Sequence, residues 1–192
     1  MQQKASMLDP GAPGPSVEAI LHALIPFKFV DHTHADAVVT ITNTANGAER
    51  IREIYGENML IAPYIMPGFI LAKQISDLTK GMDWSKCEGI ILLNHGVFTF
   101  DDDAQTSYEK MIAIVTKAEE YLEKNGAVIN TKQHEKTADL RELAKLRKAV
   151  SSAAGKAMLT SLDQGESSLH FANLENVGDL STRGPLTPDH VI

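Results

Sequence analysis

The chain has 192 residues, 43% of them apolar and 22% charged, enough for one sizeable core with an extension. Against 25 Asp and Glu stand 18 Lys and Arg, a net charge of −7, and no basic run interleaves with aromatic residues, which argues against nucleic acid as the main partner. The longest apolar runs fall far short of the roughly 20 residues of a membrane span, no apolar signal region follows the start, and the lone Cys87 forms no internal disulfide, so a reducing cytoplasm is the expected compartment.

Asp9 to Pro15 packs three prolines and two glycines into seven residues and reads as a loop. Ser16 then offers an N-cap oxygen and Glu18 suits the positive end of a helix dipole. Ile20, Leu21, Leu24 and Ile25 form an apolar stripe that Pro26 ends, so Ser16 to Ile25 reads as a short amphipathic helix. Phe27, Phe29 and Val30 lead into Asp31-His32-Thr33-His34 as a strand, where alternate side chains share a face and His32 and His34 point the same way. Ala35 to Asn43 and Ala48 to Tyr55 are helical in pattern, Leu60 to Tyr64 is a short strand, and Phe69 to Leu78 returns to helix.

Cys87 to Asn94 is the clearest strand, its Ile90, Ile91, Leu92 and Leu93 consecutively apolar, as where other elements cover both faces. Asp103 to Lys124 carries Met111, Ile114, Val115, Ala118 and Leu122 at helical spacing and ends at Asn125-Gly126, which suits a left-handed cap. Glu135 to Val150 reads as a charged helix, and Gly165 to Ile192 is polar. The expectation is an α/β layered domain over residues 1–126, with a central mixed sheet flanked by helices, followed by a helical extension and connector over 127–192.

Three histidines draw attention. His32 and His34 alternate on a strand, and His95 follows the buried strand in Leu93-Asn94-His95-Gly96, so imidazoles from two strand ends make a zinc-like ligand set with a coordination position left for substrate or water. Alternating histidines also occur on ordinary half-exposed strands, and that reading stands beside the metal one. Glu18 is either a general base beside such a metal or a solvated first-turn carboxylate. His22 shares a helix face with Glu18 and reads as a core or boundary histidine. Gly68 and Gly96 suit turns or close approach, Cys87 reads as a small buried apolar residue, and His134, His170 and His190 read as surface histidines.

Taken together, Pro15-Ser16-Val17-Glu18, Asp31-His32-Thr33-His34-Ala35-Asp36 and Leu93-Asn94-His95-Gly96 resemble the class II aldolase/adducin family in order and spacing. The resemblance implies that His32, His34 and His95 bind Zn2+ and that Glu18 is the catalytic acid/base. It implies cleavage of a ketose 1-phosphate of the rhamnulose type to dihydroxyacetone phosphate and lactaldehyde, through an enediolate that the metal stabilises, with no lysine Schiff base. A homo-oligomer acting on a small sugar-phosphate substrate, with no nucleic-acid or membrane partner, goes with it.

The tail Thr182 to Ile192 resembles the connector of fusion proteins that join such an aldolase to a short-chain dehydrogenase. The Gly-Asn-x-Ser type segment that holds substrate phosphate in the family has no counterpart in the fifteen residues before Ser16, and the chain carries no Gly-x-Gly-x-x-Gly loop. The expectation is an N-terminally truncated fragment of the fusion, in which weak phosphate binding separates metal binding from activity. Other readings of the same family are a sugar-phosphate epimerase or dehydratase and a non-enzymatic adducin-like binding module. A chain unstable alone, through apolar surface left uncovered, is the remaining one.

Overall fold

Alternating burial along two consecutive strands builds the centre of the fold. Ile90 and Leu92 face one core with Phe98 and Phe100, while Ile91 and Val97 face another, so helices cover the sheet on both sides. The computed structural model describes residues 2–127, 131, 132, 134, 135, 138–187 and 190. Met1–Ala127 with Pro185–Ile192 form one compact unit, and Val128–Gly184 form a second.

In chain order the first unit holds α1 (Gln2–Ala5), α2 (Ala19–Leu24), β1 (Phe29–Thr33), α3 (Asp36–Thr42), α4 (Gly47–Tyr55), β2 (Met59–Ala62), α5 (Phe69–Leu78), β3 (Gly89–Leu92), β4 (Gly96–Asp101) and α6 (Ala104–Lys124). The sheet order is β1-β4-β3-β2, with β4 antiparallel to both neighbours and β2 parallel to β3. Leu21 and Ile25 at α2 and Leu71, Ala72 and Ile75 of α5 close the first core. Val38 and Ile41 of α3, Ile51 of α4 and Met111, Ile114 and Ala118 of α6 close the second. This is an α/β fold, a mixed four-stranded sheet flanked by helices.

Local chemistry sets the boundaries. The Asp103 carboxylate accepts from Thr106 N at 2.8 Å and starts α6, and Gly126 at φ +76° follows its end. Ser16 does not cap α2, as the sequence suggests. Its hydroxyl accepts from Glu18 N at 3.2 Å in a local turn, and the helix begins at Ala19, which leaves the Glu18 side chain free of a capping role. The expected strand from Cys87 to Asn94 is shorter, since Leu93, Asn94 and His95 form the hairpin turn into β4. β4 itself was not expected. It lies between β1 and β3, and Val97, Phe98, Thr99 and Phe100 are all buried.

The second unit holds α7 (Leu140–Ala154), α8 (Glu166–Ala172) and α9 (Val177–Leu180). The expected charged helix starts later, at Leu140, because Asp139 accepts from the backbone N–H groups of Arg141 and Glu142 and caps it there. Lys136 and Thr137 of that expectation, and Pro188, Asp189, Val191 and Ile192 of the tail, lie outside the described residues. Among the described residues no helix is long and apolar enough to cross a membrane.

Candidate metal centre

Antiparallel pairing of β1 with β4 sets the end of one strand beside the start of the other: Thr33 stands opposite Val97 and His32 opposite Phe98. His34 just after β1 and His95 just before β4 are therefore neighbours, their ring centroids 4.9 Å apart. The turn that carries His95 has Asn94 at φ +58°, a left-handed conformation that asparagine tolerates better than most residues. Gly96 follows because nothing larger fits. A Cβ there would stand 2.5 Å from Thr33 O, 2.8 Å from His34 Cδ2 and 3.0 Å from His32 Cε1.

His32 is held by an aromatic ring and a backbone carbonyl. Its ring stacks on Phe98 at a centroid distance of 3.9 Å and an interplanar angle of 13°, and His22 packs edge-on against the same Phe98. A carbonyl only accepts, so His32 Nδ1 donates to Val97 O at 3.0 Å, which leaves the Nε2 lone pair aimed at the site, 2.8 Å from His34 Nε2. Burial pushes the His32 imidazole down to about 4 against the pull of Glu18, so near neutral pH it is the uncharged ring a cation needs.

The loop before α2 brings in Glu18. Its Oε1 lies 2.9 Å from His95 Nε2 and its Oε2 3.5 Å from His32 Nε2. The approach of His95 holds the carboxyl below its usual value of 4.5, against the opposing effect of burial. Yet Glu18 Oε1 and His95 Nε2 are buried and lack the alignment of a hydrogen bond with each other, and among the described residues neither has another hydrogen-bond partner. Burying a carboxylate oxygen and an imidazole nitrogen without hydrogen bonds is costly unless something shared satisfies both.

One donor atom from each of Glu18, His32, His34 and His95 lies within 4.8 Å of the others, a span that suits a single cation. Three imidazole nitrogens and a carboxylate are the donor types of zinc sites, and the His32 Nδ1–H bond to a backbone carbonyl is the kind of outer contact that orients a ligand ring. The residues present fit a divalent metal.

All four residues expected from the sequence converge here. His22 stands beside the site as a packing ring. His190 is exposed, as expected, but it is tied down: its Nε2 donates to Asp36 Oδ1 at 2.9 Å and its ring is 6.3 Å from that of His34. Its position could be read only once the topology was known, although Asp36 stands inside the motif that carries His32 and His34. His134 and His170 neighbour each other in the second unit, ring centroids 6.1 Å apart.

A model of the class II aldolase and adducin N-terminal domain matches residues 2–122, and a model of the second domain of class II aldolases matches residues 137–192. The uncharacterized oxidoreductase YuxG of Bacillus subtilis (strain 168) is 32% identical over 97% of this chain and 28% of its own length. The N-terminal class II aldolase domain of a conserved protein from Thermoplasma acidophilum is 44% identical, with a TM-score of 0.54 over 62% of this chain and 54% of that one. An aldolase II superfamily protein from Pseudomonas syringae shares the fold at 15% identity, with a TM-score of 0.50 over 76% of this chain and 66% of that one. The chain thus spans 28% of the length of its Bacillus relative and about half of the Thermoplasma chain.

Proposed function

The chain belongs to the class II aldolase and adducin family, and on that premise we propose that it is a zinc-dependent aldehyde-lyase that cleaves a ketose 1-phosphate of the rhamnulose type. The observation that carries the reading is the convergence of Glu18, His32, His34 and His95 on one point, with two of their donor atoms buried and unsatisfied. His32, His34 and His95 would hold the cation. When bound, it supplies positive charge against the negative charge that develops as a carbon–carbon bond next to a carbonyl breaks.

The remaining work falls to the chain's own groups. Val97 O and Phe98 fix the His32 ring in place before substrate arrives, so no reorganisation of that ring is needed at the moment of reaction. Glu18 is kept ionised by its neighbours and largely shielded from water, which suits it to move a proton at the carbon that carries the developing charge. His22, packed edge-on against Phe98, supports the ring on which His32 lies.

The name of the Bacillus relative, an oxidoreductase of which this chain matches 28%, supports a further part of the reading: a dehydrogenase domain on the same polypeptide would consume an aldehyde product. The test begins with zinc per chain, measured by elemental analysis on chelator-washed and reloaded protein beside His95→Ala. About one ion per chain, lost in the variant, is expected. Cleavage of rhamnulose 1-phosphate, followed through release of dihydroxyacetone phosphate, then separates a lyase from an epimerase, which would return an isomeric sugar phosphate instead. Folded protein with no metal overturns the proposal.

A further inference from the structure

Three described residues near the end of the chain, Leu186, Thr187 and His190, are tied to the loops that present two of the candidate ligands. Asn43, at the end of α3, donates from Nδ2 to Leu186 O at 2.9 Å and accepts at Oδ1 from Asn94 Nδ2 at 2.8 Å. The carbonyl of Leu186 can only accept, so it fixes the orientation of the Asn43 amide and, through it, that of Asn94. Asn94 N donates to Thr42 Oγ1 at 3.2 Å. These bonds hold a residue at φ +58° immediately before His95.

The second tie runs to His34. His190 Nε2 donates to Asp36 Oδ1 at 2.9 Å, and Thr187 Oγ1 bonds His190 Nδ1 at 2.8 Å. Both ring nitrogens of His190 are therefore engaged, so its ring, 6.3 Å from that of His34, has no nitrogen left over to ligate a metal. Asp36 opens α3 two residues after His34. Thr187 is 2% exposed, so the residue whose hydroxyl bonds His190 is itself packed into the unit.

We propose that Asn43 and His190, anchored by Leu186 and Thr187, are positioning residues that form a strap across the metal centre, setting the loop of His95 through Asn94 and the loop of His34 through Asp36. The inference rests on the metal-centre reading. The hydrogen bonds of Asn43 and His190 to Asn94, Leu186 and Asp36 are solvent-exposed and contribute little to folding, whereas outer contacts that orient ligands typically change metal affinity by about 10–100-fold. An effect on the metal and an effect on the fold should therefore come apart.

The experiment is a Co2+ titration of the chelator-treated 192-residue chain, read by the visible ligand-field spectrum, for wild type, Asn43→Ala, His190→Ala, His190→Gln and His95→Ala. Asn43→Ala and His190→Ala are expected to weaken Co2+ binding by about 10-fold and to shift the bands, while the thermal melts of the metal-free proteins stay at the wild-type temperature. His190→Gln places an amide N–H near the position of Nε2, keeps the bond to Asp36 and restores affinity and spectrum. Wild-type affinity and spectrum in both alanine variants overturn the strap, and a glutamine variant as weak as His190→Ala removes the Asp36 tie from it. Failure of the underlying reading looks different: wild type then takes up no more Co2+ than His95→Ala, which removes both proposals.

Discussion

A single methyl group at Gly96 is a sharp probe of how the fold and the site depend on each other. In Gly96→Ala the new Cβ meets Thr33 O at 2.5 Å, and restoring an ordinary contact of 3.4 Å requires roughly 0.9 Å of movement between the end of β1 and the start of β4. Thr33 and Val97 are opposite each other in the ladder there, so the movement works against paired backbone and not a flexible side-chain tip. Overpacking of this kind costs about 1–3 kcal/mol. The same methyl presses on His34 Cδ2 at 2.8 Å and His32 Cε1 at 3.0 Å. Metal–ligand distances tolerate only about 0.2 Å, so a shift several times larger is expected to weaken Zn2+ or Co2+ binding by at least about 10-fold. Gly14→Ala is the control, since a Cβ there meets nothing within 4 Å. Thermal melts of the metal-free proteins and Co2+ titrations should show Gly14→Ala indistinguishable from wild type and Gly96→Ala impaired in both. A Gly96→Ala protein that melts and binds metal like wild type refutes the close approach of β1 to the hairpin turn.

Two further outcomes follow from named contacts. Glu18→Gln keeps three imidazoles and is expected to retain bound zinc while losing cleavage by about 10²–10⁴-fold, the range of acid–base catalysis; loss of zinc instead makes Glu18 a ligand. Asp103→Ala removes the acceptor for Thr106 N and Oγ1 at the start of α6 and should lower Tm by a few degrees at neutral pH. Those bonds hold the Asp103 carboxyl below its usual 3.8, so its contribution is full above that value and is lost as pH falls through the depressed one. The melting difference between variant and wild type should therefore close in acid, and a gap that stays constant down to unfolding pH speaks against the cap.

The helices were legible where their periodicity was strong and their ends were chemically marked. Asp103 and Asn125-Gly126 delimit α6 as the sequence suggests, and Phe69–Leu78 coincides with α5. His32 and His34 were readable as a pair because two-residue alternation survives even though β1 ends at Thr33, one residue short of His34. β4 was hidden for a physical reason. Buried on both faces, Val97-Phe98-Thr99-Phe100 shows no polar alternation, and the buried Thr99 is polar only in sequence, since its hydroxyl is satisfied by Ser107 O at 2.9 Å. The His190 contact was hidden because 154 residues separate it from Asp36, and no local pattern encodes a contact of that range.

That unread strand is the one on which the site depends. His95 immediately precedes β4 and Gly96 begins it; Val97 supplies the carbonyl that orients His32, and Phe98 supplies the ring on which His32 lies. A slip of β4 by one residue would carry Phe98 to the opposite core and leave Val97 beneath His32, exchanging the contents of both faces at once. The two cores resist that exchange, because Phe98 and Phe100 fill one and Val97 packs against Ile91 and Ile114 in the other. Register specified by apolar volume on two faces thus fixes the placement of three histidines that are themselves polar. A histidine motif spread over β1 and a distant hairpin can act as one site because the core between them permits a single alignment.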